Sequence, residues 1–217
     1  MTTHPSIRCG LFLASALFGA IPAVSAADFQ EDVHYERITP PQPTASGDKI
    51  EVLEIFWYGC PHCYDFEPYS EEWLKHKAAD VEFRRLPGVF RDSWVPHARA
   101  YYTAEALGKV ETIHPALFKA IHVDHRQIAD EKSLAEFFSE QGVSAKEFAE
   151  TYGSFAIDAK VRQAATSAAA YGISGVPAVI VNGKYRTSGS LAGNYETLLK
   201  IIDYLVDTER QAALERH

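Results

Sequence analysis

Ile50-Glu51-Val52-Leu53-Glu54-Ile55-Phe56-Trp57-Tyr58-Gly59-Cys60-Pro61-His62-Cys63 is the stretch that decides the architecture of this 217-residue chain. Residues 50–57 form a nearly continuous apolar run broken by Glu51 and Glu54, the pattern of a central strand buried on both faces. Tyr58-Gly59 ends the run just before a Cys-X-X-Cys pair. Pro61 suits a first-turn helix position, and Phe66, Tyr69, Trp73 and Leu74 follow at helical spacing, so a helix is expected to run to about Ala78. Two thiols at a helix start can close a small disulfide with each other, and the first lies where the helix dipole and free backbone N–H groups stabilise a thiolate. Thiol exchange with Cys60 as nucleophile is one chemistry open to such a pair. Soft-metal binding by Cys60, Cys63 and His62 is the other, although these residues supply an incomplete ligand set.

Working outward, Val33 to Ile38 is expected to form a short edge strand, and Pro40, Pro41, Pro43 and Gly47 mark an irregular connection. Val81 to Leu86 reads as a parallel strand. Residues 92–172 change character to consecutive helices, five in number, with Gly108 and Gly142 as stops, a capping box at Ser144 and Glu147, and Ser154 capping a long helix that ends near Gly172. Strand-like sequence returns at Pro177 to Val181 and Lys184 to Thr187, and the intervening Asn182-Gly183 is a strong hairpin signal. Asn194 can cap a last helix whose apolar face is Tyr195, Leu198, Leu199, Ile202, Leu205 and Val206. The order of elements predicts an α/β chain with a thioredoxin fold and an inserted all-helical domain. The thioredoxin-like part is assigned to residues 27–91 and 173–217 and the insertion to 92–172, its last helix bridging the two.

The first 26 residues read as a secretory signal peptide. Arg8 is their only formally charged side chain and precedes the apolar run Leu11 to Ile21, which is shorter than the ~20 residues of a spanning helix, and Val24-Ser25-Ala26 suits cleavage near Ala27 or Asp28. Cleavage removes Cys9, so the mature protein is expected to hold only Cys60 and Cys63. In an oxidising compartment, a protein whose two cysteines sit in one Cys-X-X-Cys uses them for exchange rather than for stapling, since a disulfide closing so short a loop adds little chain-entropy stabilisation. The net charge of −8 argues against a general nucleic-acid binder, which normally shows a basic face.

Val52-Leu53-Glu54-Ile55-Phe56 leading to Cys60-Pro61-His62-Cys63-Tyr64, with the later Gly175-Val176-Pro177-Ala178 and Val181-Asn182-Gly183-Lys184-Tyr185, resembles the bacterial DsbA family of periplasmic thiol:disulfide oxidants over essentially the whole mature chain. The resemblance implies a Cys60–Cys63 disulfide as the redox centre, with Cys60 the exposed sulfur that substrate attacks, Cys63 its buried partner, and no separate cofactor or stable metal. It further implies unfolded or partly folded secreted proteins as substrates, re-oxidation by a membrane quinone reductase of the DsbB type, a periplasmic location and a monomer. A periplasmic reductase or isomerase is the nearest rival. The isomerase type resembles a dimer with its own dimerisation region, and the short lead before Ile50 offers none.

Three further features attach to this reading. An imidazole at His62, beside the helix start, favours the Cys60 thiolate, and each tenfold gain in thiol acidity stabilises the dithiol by ~1.4 kcal/mol, or ~30 mV toward a more oxidising couple. Glu54 is an acid in an apolar strand: the residues alone favour a structural pair with Arg84 or Arg85, and the resemblance adds a proton relay to Cys63. Val176-Pro177 is, by resemblance, a cis bond facing the cysteines, with Val176 offering backbone hydrogen bonds to an extended substrate. Among the other histidines, His97, His114, His122 and His125 read as surface polarity. Trp57, Tyr58, Phe66 and Trp94 read first as core, with a peptide groove as the alternative, and Glu71-Glu72 and Asp130-Glu131-Lys132 as solvated faces.

Overall fold

The computed structural model describes residues 29–215 and the first two residues of the chain. The apolar run read as an export signal, its cleavage position and Cys9 lie outside the described residues.

Strand β2 (Ile50–Phe56) is interior to a five-stranded sheet with β1 (Glu36–Arg37), β3 (Val81–Pro87), β4 (Ala178–Val181) and β5 (Tyr185–Ser188), in the order β1-β5-β4-β2-β3. It pairs in parallel with β3 and antiparallel with β4. β4 turns through Asn182-Gly183 into β5, and both turn residues take positive φ, +51° and +65°, as the dipeptide predicts. A Cβ on Gly183 would also lie 2.0 Å from the Gln42 carbonyl oxygen, so glycine is required there twice over. The expected edge strand contracts to β1 (Glu36–Arg37) beside β5. Asp32 at φ +65° and a turn closed by the Asp32 N–H on the Tyr35 carbonyl (2.8 Å) take up the residues before it.

Period-two alternation assigns each side chain of β2 to a face. Val52, with Val179 and Val181 of β4, packs against Phe66 of α1 (Pro61–His76) and Leu198, Ile202 and Leu205 of α8 (Tyr195–Leu214). Leu53 and Ile55, with Ala178 and Ile180, face Ile38 and Tyr171 on the other side. The same alternation separates the two buried acids. Glu54 lies opposite Arg85 in the parallel register and pairs with it, whereas Glu51 faces the other way and pairs with Arg84 at 3.1 Å. Glu51 also accepts from the Ala45 N–H and the Ser46 hydroxyl, which ties the proline-rich connection to the strand.

After a 3-10 turn at Asp92–Trp94 come five α-helices: α2 (Val95–Ala106), α3 (Val110–His122), α4 (Glu131–Glu140), α5 (Ala145–Tyr152) and α6 (Phe155–Ala170). Ser154 and Asn194 cap α6 and α8 through the N–H groups of Ile157 and Thr197. At Ser144 only half of the expected box forms, its hydroxyl accepting from the Glu147 N–H. The reciprocal box sits at Asp130 and Ser133, because the Ser133 hydroxyl returns a bond to the Asp130 N–H. A short α7 (Gly189–Ala192), unmarked in the sequence, precedes α8. Phe56 and Tyr58, at the exit of β2, are buried among Tyr101, Ile113, Leu117 and Phe118 of the helical segment, so the helices close directly over the strand end that carries the cysteines.

Candidate active site

Cys60 is the N-cap of α1, with extended backbone (φ −92°, ψ 116°), and Pro61 opens the helix where its missing N–H costs nothing. The Cys63 and Tyr64 N–H groups turn back onto the Cys60 carbonyl at 3.1 and 3.2 Å. Cys60 and Cys63 are free thiols, and they differ in exposure: Cys60 keeps 9 % of its surface accessible and Cys63 none. The Val176–Pro177 bond is cis, and the Val176 carbonyl accepts from the Cys60 Sγ at 3.5 Å. Strand β2 thus delivers the first sulfur to the loop that precedes β4.

The environment drives the two thiols apart. Cys60 is lowered to about 6, first by a hydrogen bond from the Cys63 thiol, then, against the opposing effect of burial, by the backbone N–H groups of Cys63 and His62 and last by the His62 charge. The imidazole expected to lead is therefore the smallest of these causes, because the ring is exposed to solvent. Burial pushes Cys63 far up, and the hydrogen bond to Cys60 and the charges of Cys60 and Glu54 push the same way.

Beneath the cysteines, Glu54 is fully buried, its Oε2 3.3 Å from the Arg85 Nε and its Oε1 without a hydrogen-bond partner among the described residues. Burial, then the charge of Glu67, raises it to about 7 in spite of Arg85. Glu67 of α1 shares Arg85 at 3.3 Å and is likewise raised to about 7 by burial. Glu54 is thus paired with Arg85, the structural partner the residues suggested, and stays protonatable near neutral pH.

Sequence reasoning missed Glu67, although it lies one helical turn after Cys63 and so on the same face of α1. It also misplaced three histidines. His114 is 97 % buried, its Nδ1 2.9 Å from the Tyr58 hydroxyl and its Nε2 facing Glu67 Oε1 at 3.2 Å outside hydrogen-bond geometry, and burial lowers it to about 3. His97 is buried against the Ile128 carbonyl at 2.6 Å. His122 is half-buried, meets the Tyr58 carbonyl at 2.7 Å and stacks on Tyr64, which leaves His125 as the exposed one. These rings fill interior positions that need one hydrogen bond each, a use that helical periodicity does not reveal. Among the described residues no cluster of His, Cys, Asp or Glu side chains is arranged to hold a metal ion.

The aromatic residues divide. Tyr58 and Phe66 are core, while Trp57 and Trp94 stack at 4.2 Å and remain partly exposed near the cis loop, where a Cβ on Gly88 would meet both Trp94 and Val176. A groove of about 750 Å³ is bordered by His62, Tyr69, Val176, Pro177, Leu191 and Tyr195. Tyr195 packs on the core face of the last helix as expected, and its hydroxyl also donates to the His62 carbonyl at 2.9 Å.

A thioredoxin-type sheet that presents an acidic, accessible cysteine and a buried partner thiol to a cis-proline loop defines a thiol:disulfide oxidoreductase. A model of the DSBA-like thioredoxin domain matches residues 71–203. The chain belongs to the DsbA family. It is 41 % identical over 207 residues to the thiol:disulfide interchange protein DsbA of Pseudomonas aeruginosa strain PAO1, covering 95 % of this chain and 97 % of that one. It is 42 % identical over 190 residues to the protein of the same name from Azotobacter vinelandii, covering 88 % and 89 %. The crystal structure of Pseudomonas aeruginosa DsbA superposes with a TM-score of 0.82 at 42 % identity, over 87 % of this chain and 98 % of that one. That of oxidoreductase DsbA from Xylella fastidiosa gives 0.77 at 35 %, over 82 % and 96 %. The family-model match begins after Cys60 and Cys63, so the roles of those two residues rest on the geometry above.

Proposed function

We propose that this oxidoreductase donates a Cys60–Cys63 disulfide to unfolded or partly folded exported proteins, with Cys60 as the point of attack. A substrate thiolate attacks the Cys60 sulfur, the Cys60–Cys63 bond breaks, and Cys63 leaves as a thiolate that must take up a proton because its buried site disfavours the charge. Glu54, protonatable near pH 7, supplies that proton and regains one afterwards. A second substrate thiolate then attacks the substrate sulfur of the mixed disulfide and expels Cys60, which departs easily as a stable thiolate. The substrate dithiol has lost two electrons to the enzyme disulfide.

Val176 and Pro177 shape the wall opposite Cys60 and offer backbone groups to an extended substrate, Pro61 sets the helix start, and His62 adds a small acidifying charge. No cofactor beyond the redox-active disulfide and no stable metal enters this scheme. The protein acts as a monomer in the periplasm, delivered there by the signal-like first 26 residues, and a membrane quinone reductase of the DsbB type restores its disulfide. The observation that carries the reading is the opposition of the two sulfurs, one acidic with a small exposed surface, the other fully buried and held protonated.

Trapping tests it. With a reduced, unfolded substrate carrying a labelled thiol, Cys63→Ala activated at Cys60 as a mixed disulfide should pass its disulfide to the substrate or exchange partners, while Cys60→Ala should form no adduct at Cys63. Equal adduct formation at either cysteine would remove the basis for calling Cys60 the point of attack.

A further inference from the structure

We propose that Arg186 is a positioning residue that clamps the end of α6 to β5 and so holds the loop of residues 172–177 in place for substrate, an inference that rests on the disulfide-exchange reading of the site.

The clamp is built from backbone carbonyls that the helix leaves over. At the end of α6, Gly172 takes φ +66°, and the Gly172 and Ile173 N–H groups bond back to the Ala169 and Ala168 carbonyls at 3.0 and 3.1 Å. Among the described residues no backbone N–H reaches the next two carbonyls, those of Tyr171 and Gly172. Arg186 of β5 satisfies both: its Nη1 donates to them at 2.9 and 2.8 Å, and a cation is favoured at this negative end of a helix. The guanidinium is aimed from the sheet. Arg186 lies opposite Glu36 of β1 in the antiparallel register, and its Nε donates to Glu36 Oε2 at 2.5 Å. A Cβ on Gly172 would lie 2.1 Å from Nη1, so the close approach itself requires glycine there.

The loop depends on such an anchor. Its middle residues Ser174 and Gly175 are exposed, and only Ile173 and Val176 pack against the Ile38, Tyr171 and Ala178 cluster. The N–H groups of Ser174, Gly175 and Val176 make no hydrogen bond among the described residues and are left for an extended chain, while the Val176 carbonyl meets the Cys60 Sγ at 3.5 Å. Arg186 also lies opposite Ile180 of β4, so the clamp ties the entry of the loop to the strand pair in which the loop ends. Glu36, Gly172 and Arg186 border the same groove as Val176 and Pro177. Without the clamp, α6 and β4 would still form, and the segment between them would lose its fixed starting point.

The test compares wild type with Arg186→Met, which keeps the stem and removes the planar fork. In hydrogen exchange the Gly172 and Ile173 amides should exchange about ten-fold faster, the effect of losing the charged donor that holds their turn. In stopped-flow oxidation of a reduced synthetic dithiol peptide by the oxidised protein, the half-saturating peptide concentration should rise about five-fold with the limiting rate retained. Arg186→Lys keeps the charge at the helix end without the fork, so it should move both readouts the same way by less, and it decides the matter if Arg186→Met does not fold. Amides that exchange as in wild type would overturn the proposal, and so would a loss of thermal stability with the half-saturating concentration unmoved. Wild-type protein that does not oxidise the peptide would instead defeat the exchange reading, and the amide exchange would still decide whether Arg186 holds the loop.

Discussion

At the scale of single residues, the difference between Cys60 and Cys63 comes from fixed dipoles more than from a neighbouring charge. The Cys63 thiol and the backbone N–H groups of Cys63 and His62 favour the Cys60 thiolate, whereas the His62 ring is exposed to water that screens it. His62→Ala should therefore raise the Cys60 titration from about 6 but leave it below the ordinary cysteine value of about 8.5. A titration that returns all the way to 8.5 would assign the acidity to the imidazole, and one that does not move would assign the ring no part in it. The sequence pointed to His62 because it is the one titratable side chain between the cysteines. The backbone donors of the helix start were read from Pro61 and the spacing that follows, but that they would outweigh the ring was not.

At the scale of elements, the parallel register of β2 and β3 and one turn of α1 assemble the buried group Glu54, Arg85 and Glu67. Glu54→Gln should slow thiol exchange and flatten its dependence on pH around 7, read from stopped-flow rates between pH 5 and 9. Unchanged pH-dependent rates would remove Glu54 from the proton path. The stability effect has a definite sign. Because the folded-state value of Glu54 lies above that of an ordinary carboxyl, its contribution is fully present below about 4.5 and is lost as pH rises through about 7. Glu54→Gln should consequently gain stability relative to wild type from pH 5 to pH 8 in denaturant titrations, and a constant difference would contradict the raised value. Two candidate partners, Arg84 and Arg85, stand side by side in the sequence, and only the register, in which Arg85 faces Glu54, selects between them. The β4–β5 hairpin was legible because Asn182-Gly183 encodes its own turn. His97 and His114 were not, since their partners Ile128 and Tyr58 come from distant segments and nothing local signals a buried imidazole.

At the scale of the whole molecule, the helical segment and the thioredoxin-like sheet meet at Phe56 and Tyr58, immediately before the cysteines. For Cys60 the folded value is depressed to about 6, so its contribution to the reduced form is complete above the unfolded thiol value of about 8.5 and is lost as pH falls through 6. Reduced wild type should gain stability over reduced Cys60→Ser as pH rises from 6 to 8.5, a comparison in which the opposite slopes of Glu54 and Glu67 cancel. The fold as a whole was legible because strand, helix and hairpin each carry a local signature, and the inserted helices announced themselves through Gly108, Gly142 and Ser154. The central claim is that this arrangement makes the Cys60–Cys63 disulfide a donor, and the equilibrium of the pair with a glutathione redox buffer near neutral pH tests it most directly. A disulfide donor should show a strongly oxidising couple, with the dithiol form dominant unless oxidised glutathione is in large excess; a strongly reducing couple, disulfide-bonded even in reducing buffer, would rule the donor role out.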